Sequence, residues 1–244
     1  MKKSKSIVID AKNISKKYLL RHEKPTFVEN LLYKSKTEYH TALDDVTLSI
    51  FKGDRLGIIG KNGSGKTTLL KLFSGITRQQ TGKLSIHGKV VSLIDLEAGF
   101  HPDLSGEDNI FLQGLILGMS VNELSEKKSE IIQFAEIGKF IDAPVYTYSS
   151  GMKLRLGFSI AIHSNPDILL LDENFAVGDE AFRNKIRIKF KEFRKNNITL
   201  ILVSHWIEEL EKSCNKFLWL DNGRVVAYGG KKVIEKYKKS FLNK

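Results

Sequence analysis

Gly60-Lys61-Asn62-Gly63-Ser64-Gly65-Lys66-Thr67 sets a glycine-rich stretch directly before a lysine and a hydroxyl residue. This is the pattern G-x-x-x-x-G-K-[ST], a cradle for phosphate. Its glycines let successive backbone N–H groups turn inward around an anion without Cβ clashes. A helix starting near Lys66 adds partial positive charge at the same point. Lys66 brings a full charge to the outer phosphates. The Thr67 hydroxyl suits Mg²⁺, and Thr68 follows in the same first turn. A second chemical pair, Asp172-Glu173, directly follows the apolar run Ile168 to Leu171. Asp172, at the tip of a buried strand, can hold a Mg²⁺-bound water, and Glu173 can polarise the water that attacks phosphorus. An acidic pair after an apolar run says little alone. With the phosphate cradle upstream it points to a nucleotide site served by Mg²⁺.

The elements that must position these groups follow from hydrophobic periodicity. Val46 to Ile50 and Arg55 to Ile59 read as strands separated by a Lys52-Gly53-Asp54 turn, with Ser6 to Asp10 as the first strand. The helix after the cradle carries Leu69, Leu70, Leu72 and Phe73. Lys83 to Leu93 reads as further strand broken at His87-Gly88. Asn109 to Ala135 is mostly helical, with soft spots at Gly114 and Gly118. Ile168 to Leu171 and Thr199 to Val203 are short all-apolar runs, as expected of strands buried on both faces. Such strands alternating with helices predict an α/β fold with a mostly parallel central sheet. Phe217 to Leu220 and Arg224 to Ala227 form a hairpin pattern turning at Asp221-Asn222-Gly223.

Bulk properties exclude several classes. The chain has 244 residues, enough for one full α/β domain and too few for two large ones. Hydrophobic residues make up 41 %, which supports a sizeable core and argues against global disorder. No run suits a membrane span, and the basic start is not followed by a secretory segment. The chain is therefore expected on the cytosolic side, alone or docked on a membrane partner. The net charge of +11 fits nucleic acid, anionic lipid or an acidic ligand, or else solvated lysine faces. No recognition-helix, zinc-ligand or aromatic-basic pattern accompanies it, so no nucleic acid partner is expected. Cys214 is the one cysteine, which leaves no disulfide framework and no cysteine metal site.

Three further segments carry a resemblance. Tyr148-Ser149-Ser150-Gly151-Met152 resembles the ABC signature, usually written L-S-G-G-Q, and a helix from Lys153 to His163 separates it from Asp172. Ser and Gly at a helix N-terminus offer hydroxyl and N–H donors to a phosphate. Ser204-His205 follows a buried strand and is similar to the switch histidine. Ala176-Val177-Gly178-Asp179 is similar to the segment that crosses the dimer interface after the catalytic glutamate. In this order, over nearly the whole chain, they resemble an ABC nucleotide-binding domain. Ser149 to Met152 with Arg155-Leu156-Gly157-Phe158-Ser159, and Ala98 to Asn109 with its Gly-Phe-His-Pro wording, resemble the polysaccharide, O-antigen and teichoic acid exporter branch.

The resemblance implies a single domain over 1–244: a P-loop core, an antiparallel N-terminal β subdomain and a helical signature subdomain at about 98–165. It implies ATP and Mg²⁺ as ligands. Gly60 to Thr68 and Tyr18 would contact nucleotide in one copy, and Ser149, Ser150, Gly151 and Met152 would contact it from the other. Glu173 and His205 would be catalytic, and Thr67 and Asp172 would serve the metal. Its expected partners are a second copy and a polytopic permease that handles the polymer. The expected location is peripheral, on the cytoplasmic face of the bacterial cytoplasmic membrane.

The departures matter as much. Met152 replaces the usual signature glutamine and Tyr148 its leucine. Where most ABC domains carry a Mg²⁺-binding glutamine, this chain has Leu96-Glu97, and Glu97 can ligate through a carboxylate oxygen. The stretch from Tyr18 to Thr41 is long and brings Tyr33, Tyr39 and His40, so the adenine-stacking residue stays open between these and Tyr18. Within 24–40, Phe27, Val28, Leu31 and Leu32 share one helical face: either a membrane-interface helix or a surface helix packed on its own domain. Val233, Tyr237 and Phe241 recur at helical spacing, and no C-terminal β-sandwich for binding a polymer end is expected. The rivals are an ABC ATPase of another transporter branch, a soluble ABC ATPase acting on ribosomes or nucleic acid, and a nucleotide switch that does not hydrolyse.

Overall fold

The computed structural model describes residues 6–20, 38–94, 99–172, 180–204 and 206–242. Two sheets organise them. β1 (Ile7–Leu20), β2 (Glu38–Phe51) and β4 (Thr81–Ile86) form an antiparallel sheet in the order β2-β1-β4. β3 (Arg55–Ile59), β5 (Val90–Ser92), β6 (Ile168–Leu171), β7 (Thr199–Val203), β8 (Lys216–Asp221) and β9 (Arg224–Gly229) form the second, in the order β5-β6-β7-β3-β8-β9. It is parallel except for the β8–β9 hairpin.

The all-apolar strands are explained by what lies on either side of this sheet. Ile168 and Leu170 of β6 point into a cluster shared with the antiparallel sheet, whereas Leu169 and Leu171 point into a cluster on the opposite face. In β7, Ile201 and Val203 take the first side, Leu200 and Leu202 the second. Side chains alternate with a period of two, so a strand covered on both faces has no solvent-facing position. The second cluster is closed by α4 (Ser150–His163), α5 (Glu180–Lys195), α6 (Ile207–Ser213) and α7 (Lys232–Leu242).

Phe51, Asp54, Lys216 and Tyr228 tie the two sheets together. Asp54 is fully buried and accepts from the Phe51 N–H at 3.0 Å and from Lys216 Nζ at 2.7 Å. The Tyr228 hydroxyl donates to the Ser49 carbonyl at 2.6 Å.

The helical stretch predicted over 109–135 is two elements, α2 (Gly106–Ile116) and α3 (Val121–Ala135). Gly118, at φ 75°, turns the chain between them. Ser120 then caps α3 in a capping box with Glu123, which satisfies the first backbone donors of a new helix. Gly114 is helical, and α3 crosses so closely there that a Cβ at Gly114 would stand 2.2 Å from Leu124 Cδ2. α2, α3 and α4 enclose a third apolar cluster that includes Ile110, Leu124, Ile131, Tyr148 and Leu156.

Glu38, Tyr39 and His40, grouped by sequence with the insertion, are β2 residues. The remainder of the amphipathic segment, 24–37, lies outside the described residues. Among the described residues no helix is long and apolar enough to cross a membrane.

Candidate nucleotide site

The phosphate loop leaves β3 at Ile59 and enters α1 (Lys66–Phe73), as its spacing requires. Two glycines fit where no side chain would. A Cβ on Gly60 would stand 2.3 Å from the Leu220 carbonyl oxygen of β8, and one on Gly65, at φ 101°, would stand 2.4 Å from the Ala42 oxygen of β2. The loop is thus held between the two sheets. The Gly223 N–H donates to the Ser64 carbonyl at 3.1 Å, while the Gly223 carbonyl accepts from Asp44 N–H at 2.9 Å.

Lys66 is 7 % exposed, and its Nζ donates to the carbonyls of Gly60 and Lys61, each at 2.9 Å. The ammonium therefore sits in the mouth of the loop, at the positive end of α1. The next residue, Thr67, donates its hydroxyl to Asp172 Oδ2 at 3.4 Å. Asp172 is 5 % exposed at the C-terminal end of β6. A hydroxyl and a buried carboxylate facing each other are hard oxygen donors. Mg²⁺ is normally held by one or two such groups together with substrate phosphates, so these residues fit it.

A cleft of about 310 Å³ opens at the loop, within the range of small-molecule sites. Asn62, Gly63 and Gly65 form one wall with Lys66, Thr67 and Thr68 of α1, and His40 and Ala42 of β2 form another. Tyr18 is directly opposite His40 in the β1–β2 ladder and is 38 % exposed, with Lys16 Nζ 5.3 Å from its ring centre. Of the base-stacking candidates, His40 lines the cleft, Tyr39 of β2 and Tyr18 on the neighbouring strand do not, and Tyr33 lies outside the described residues.

The signature segment is elsewhere. Ser149 caps α4, its Oγ accepting from the Met152 N–H at 3.2 Å. The Met152 side chain packs against the third apolar cluster. None of residues 149–152 lines the cleft at the phosphate loop. Tyr148 explains its own departure from leucine: it is 5 % exposed in that cluster, and its hydroxyl donates to the Phe140 carbonyl at 2.6 Å. Burial pushes the Tyr148 phenol above its ordinary pKa. Glu97, Glu173, Ala176 to Asp179 and His205 lie outside the described residues.

Sequence reasoning gave no role to Asn109, which organises the segment 101–105. Its Oδ1 accepts from the His101 N–H at 2.8 Å, and its Nδ2 donates toward the carbonyls of His101, Leu104 and Ser105 at 2.8–3.1 Å. A polar residue on the inner face of a predicted helix was the only available signal.

A phosphate loop clamped between two sheets, an acid at the tip of β6, one strand removed from the loop's own β3, and a separately capped signature helix define an ATP-binding cassette. The ABC transporter family profile matches residues 43–176, more than half of the chain, and the chain belongs to that family. It is 36 % identical over 241 residues to the O-antigen export system ATP-binding protein RfbB of Klebsiella pneumoniae, covering 96 % of this chain and 98 % of that one. It is 45 % identical over 230 residues to the protein of the same name from Myxococcus xanthus, covering 91 % and 53 %. The teichoic acids export ATP-binding protein TagH of Enterococcus faecalis is 41 % identical, covering 98 % and 54 %. The chain thus spans about half the length of the last two relatives. Among solved structures, an ATP-binding subunit of an ABC transporter matches with a TM-score of 0.76 at 21 % identity, over 95 % of this chain and 93 % of that one. A dimeric post-hydrolysis ATP-binding cassette bound to ADP and Pi matches at 0.73 and 22 %, over 91 % and 98 %.

Proposed function

We propose that this chain is the ATP-hydrolysing subunit of an ABC exporter that moves a lipid-linked polysaccharide or teichoic acid-type polymer across the bacterial cytoplasmic membrane. The observation that carries the chemistry is the phosphate-loop cleft lined by Lys66 and Thr67, with the buried Asp172 at the end of β6 held 3.4 Å from the Thr67 hydroxyl. The polymer class rests on the names and similarity of the exporter relatives.

In this reading the triphosphate lies along the loop, its β- and γ-oxygens taking Lys66 and the backbone N–H groups of Gly63 to Thr67. The base lies toward His40 and Tyr18. Thr67 and Asp172 would hold Mg²⁺, which would supply positive charge beside the phosphates. Glu173 orients the attacking water, His205 holds the γ-phosphate, and Glu97 is a further oxygen ligand. Ser149, Ser150 and Gly151 do not line this chain's own cleft, which supports their acting on nucleotide held by a second copy. Closure of the two-copy sandwich passes to a polytopic permease through the surface around 97–112. The subunit then works as one domain, peripheral on the cytoplasmic face.

The test is a tagged Glu173→Gln form recovered from detergent-solubilised membranes with ATP. Recovery of a polytopic protein whose deletion strands lipid-linked glycan on the cytoplasmic side supports the reading. Recovery of ribosomes or DNA-repair proteins without a membrane partner overturns the export assignment.

A further inference from the structure

Lys89 stands in the turn between β4 and β5, at the outer edge of the six-stranded sheet. Its backbone is fixed to the entry of β6. The Lys89 N–H donates to Asp167 Oδ2 at 2.8 Å, and its carbonyl accepts from the N–H groups of Asp167 at 2.9 Å and Ile168 at 3.1 Å. From this base the side chain reaches into the helical layer. Lys89 Nζ donates to the Ser164 carbonyl at 2.7 Å and to the Gly118 carbonyl at 3.3 Å. Ser164 is the C-cap of α4, and Gly118 lies in the α2–α3 turn. One ammonium therefore joins the sheet edge, the end of α4 and the α2–α3 turn. A charged donor on carbonyls at a helix C-terminus is a strong contact and complements the helix dipole. Lys127 of α3 adds a second, donating to the His163 carbonyl at 2.8 Å.

The other end of α4 begins at Ser149. Its 14 residues make a rod ~21 Å long, so a tilt of ~5° about the C-terminal end displaces the signature by ~2 Å. That exceeds the tolerance of a hydrogen bond.

We propose that Lys89 is a positioning residue for hydrolysis: by fixing the C-terminal end of α4 to the sheet and to the α2–α3 turn, it sets where Ser149, Ser150 and Gly151 meet the nucleotide of a second copy. This inference rests on the two-copy reading above.

The experiment uses purified full-length Lys89→Met, Lys66→Met and Ser149→Ala proteins, alone and mixed in pairs. Lys89→Met should lose ATPase activity by about 10- to 100-fold, the scale of an ångström-level misplacement. A fluorescent ATP analogue should bind it within about twofold of wild type, because the phosphate loop is untouched. Mixing Lys89→Met with Lys66→Met should restore hydrolysis, since one composite site then has an intact loop and an intact signature. A residue that merely stabilised the fold would give no such rescue. Lys89→Arg, which retains a charged donor, should recover part of the activity. If Lys89→Met lacks the wild-type circular-dichroism spectrum, Lys89→Gln carries the same test.

Ser149→Ala mixed with Lys66→Met is the control. If that pair regains activity and the Lys89→Met pair does not, the positioning role is overturned and the two-copy reading stands. If neither pair regains activity, the two-copy reading falls and the role of Lys89 falls with it. Wild-type ATPase activity in Lys89→Met alone also overturns the proposal.

Discussion

Replacing Asn109 should destabilise the fold in an order that chemistry dictates and size does not. Asn109 is fully buried on α2. Its Nδ2 has two hydrogens for three carbonyls, at 3.1, 3.1 and 2.8 Å, so one is shared. In Asn109→Ala each of those carbonyls keeps a backbone donor: His101 O from Leu104 N, Leu104 O from Val145 N, and Ser105 O from residue 109 itself. The main loss is the acceptor of the His101 N–H, about 1–3 kcal/mol. The void left by the amide adds to this and puts the total toward the upper end of that range, about 2–3 kcal/mol. Asn109→Asp keeps the shape but turns the donor into an oxygen facing three carbonyls and buries a charge, so it should cost more than alanine. Urea midpoints with a common m-value read the order wild type, Ala, Asp directly. The alanine step corresponds to about 5–10 °C in Tm for a chain of this size. Nucleotide affinity should not change, because Asn109 does not line the cleft. An Asp variant within about 0.5 kcal/mol of wild type, or more stable than Ala, refutes the reasoning.

Three shorter predictions follow from other parts of the molecule. Burial pushes the Cys214 thiol up to about 12, so it should not react with a thiol reagent at pH 8 until urea unfolds the chain. Burial also holds His163 below its ordinary pKa, reinforced by Lys189 and Lys127 and opposed by the Ser159 carbonyl and Glu130. The folded state thus prefers the neutral ring: this stability is full above the unfolded value near 6.5 and falls as pH drops from there toward the lowered folded pKa. Urea midpoints between pH 7.5 and 5.5 should slope less in His163→Phe than in wild type, and equal slopes would remove His163 from that role. Gly65→Ala puts a Cβ 2.4 Å from the Ala42 oxygen and should abolish binding of a fluorescent ATP analogue. Gly75→Ala, at φ 76° with open space around it, should cost about 1 kcal/mol of stability and leave binding intact.

The parts of this fold that sequence exposes are those where one physical requirement selects residue type. Ile168 to Leu171 must be apolar throughout because each successive side chain enters a different core. The loop from Gly60 to Thr67 combines glycine, lysine and hydroxyl, the set that a phosphate and its Mg²⁺ would together require. The parts that stay hidden are those where several weak preferences compete. β1 extends to Leu20, well past the predicted Asp10, although Lys12, Asn13, Lys16 and Lys17 look like loop. The strand survives because it is the middle strand of its sheet and absorbs bulges against both neighbours. The split of 109–135 into two helices was legible, since Ser120 and Glu123 have capping-box spacing, but Gly118 alone did not decide it.

The candidate site divides the same way. Lys66, Thr67 and Asp172 announce themselves because each carries a group that phosphate or its metal needs. Lys89 does not, because a lysine in a turn is usually a solvated charge and nothing in its neighbours' types marks the carbonyls of Gly118 and Ser164 as its targets. Those carbonyls become acceptors only once α2 and α4 end where they do, which makes the contact a consequence of tertiary packing. The same holds for His40, whose place in the cleft depends on β2 lying beside the phosphate loop. On the proposed reading, groups that would touch the triphosphate are written into short motifs, whereas groups that would aim those motifs are set by how the helical layer meets the sheet. Substitutions of the second kind should alter hydrolysis with little effect on nucleotide affinity. That separation is what the paired measurements on Lys89→Met and Gly65→Ala distinguish.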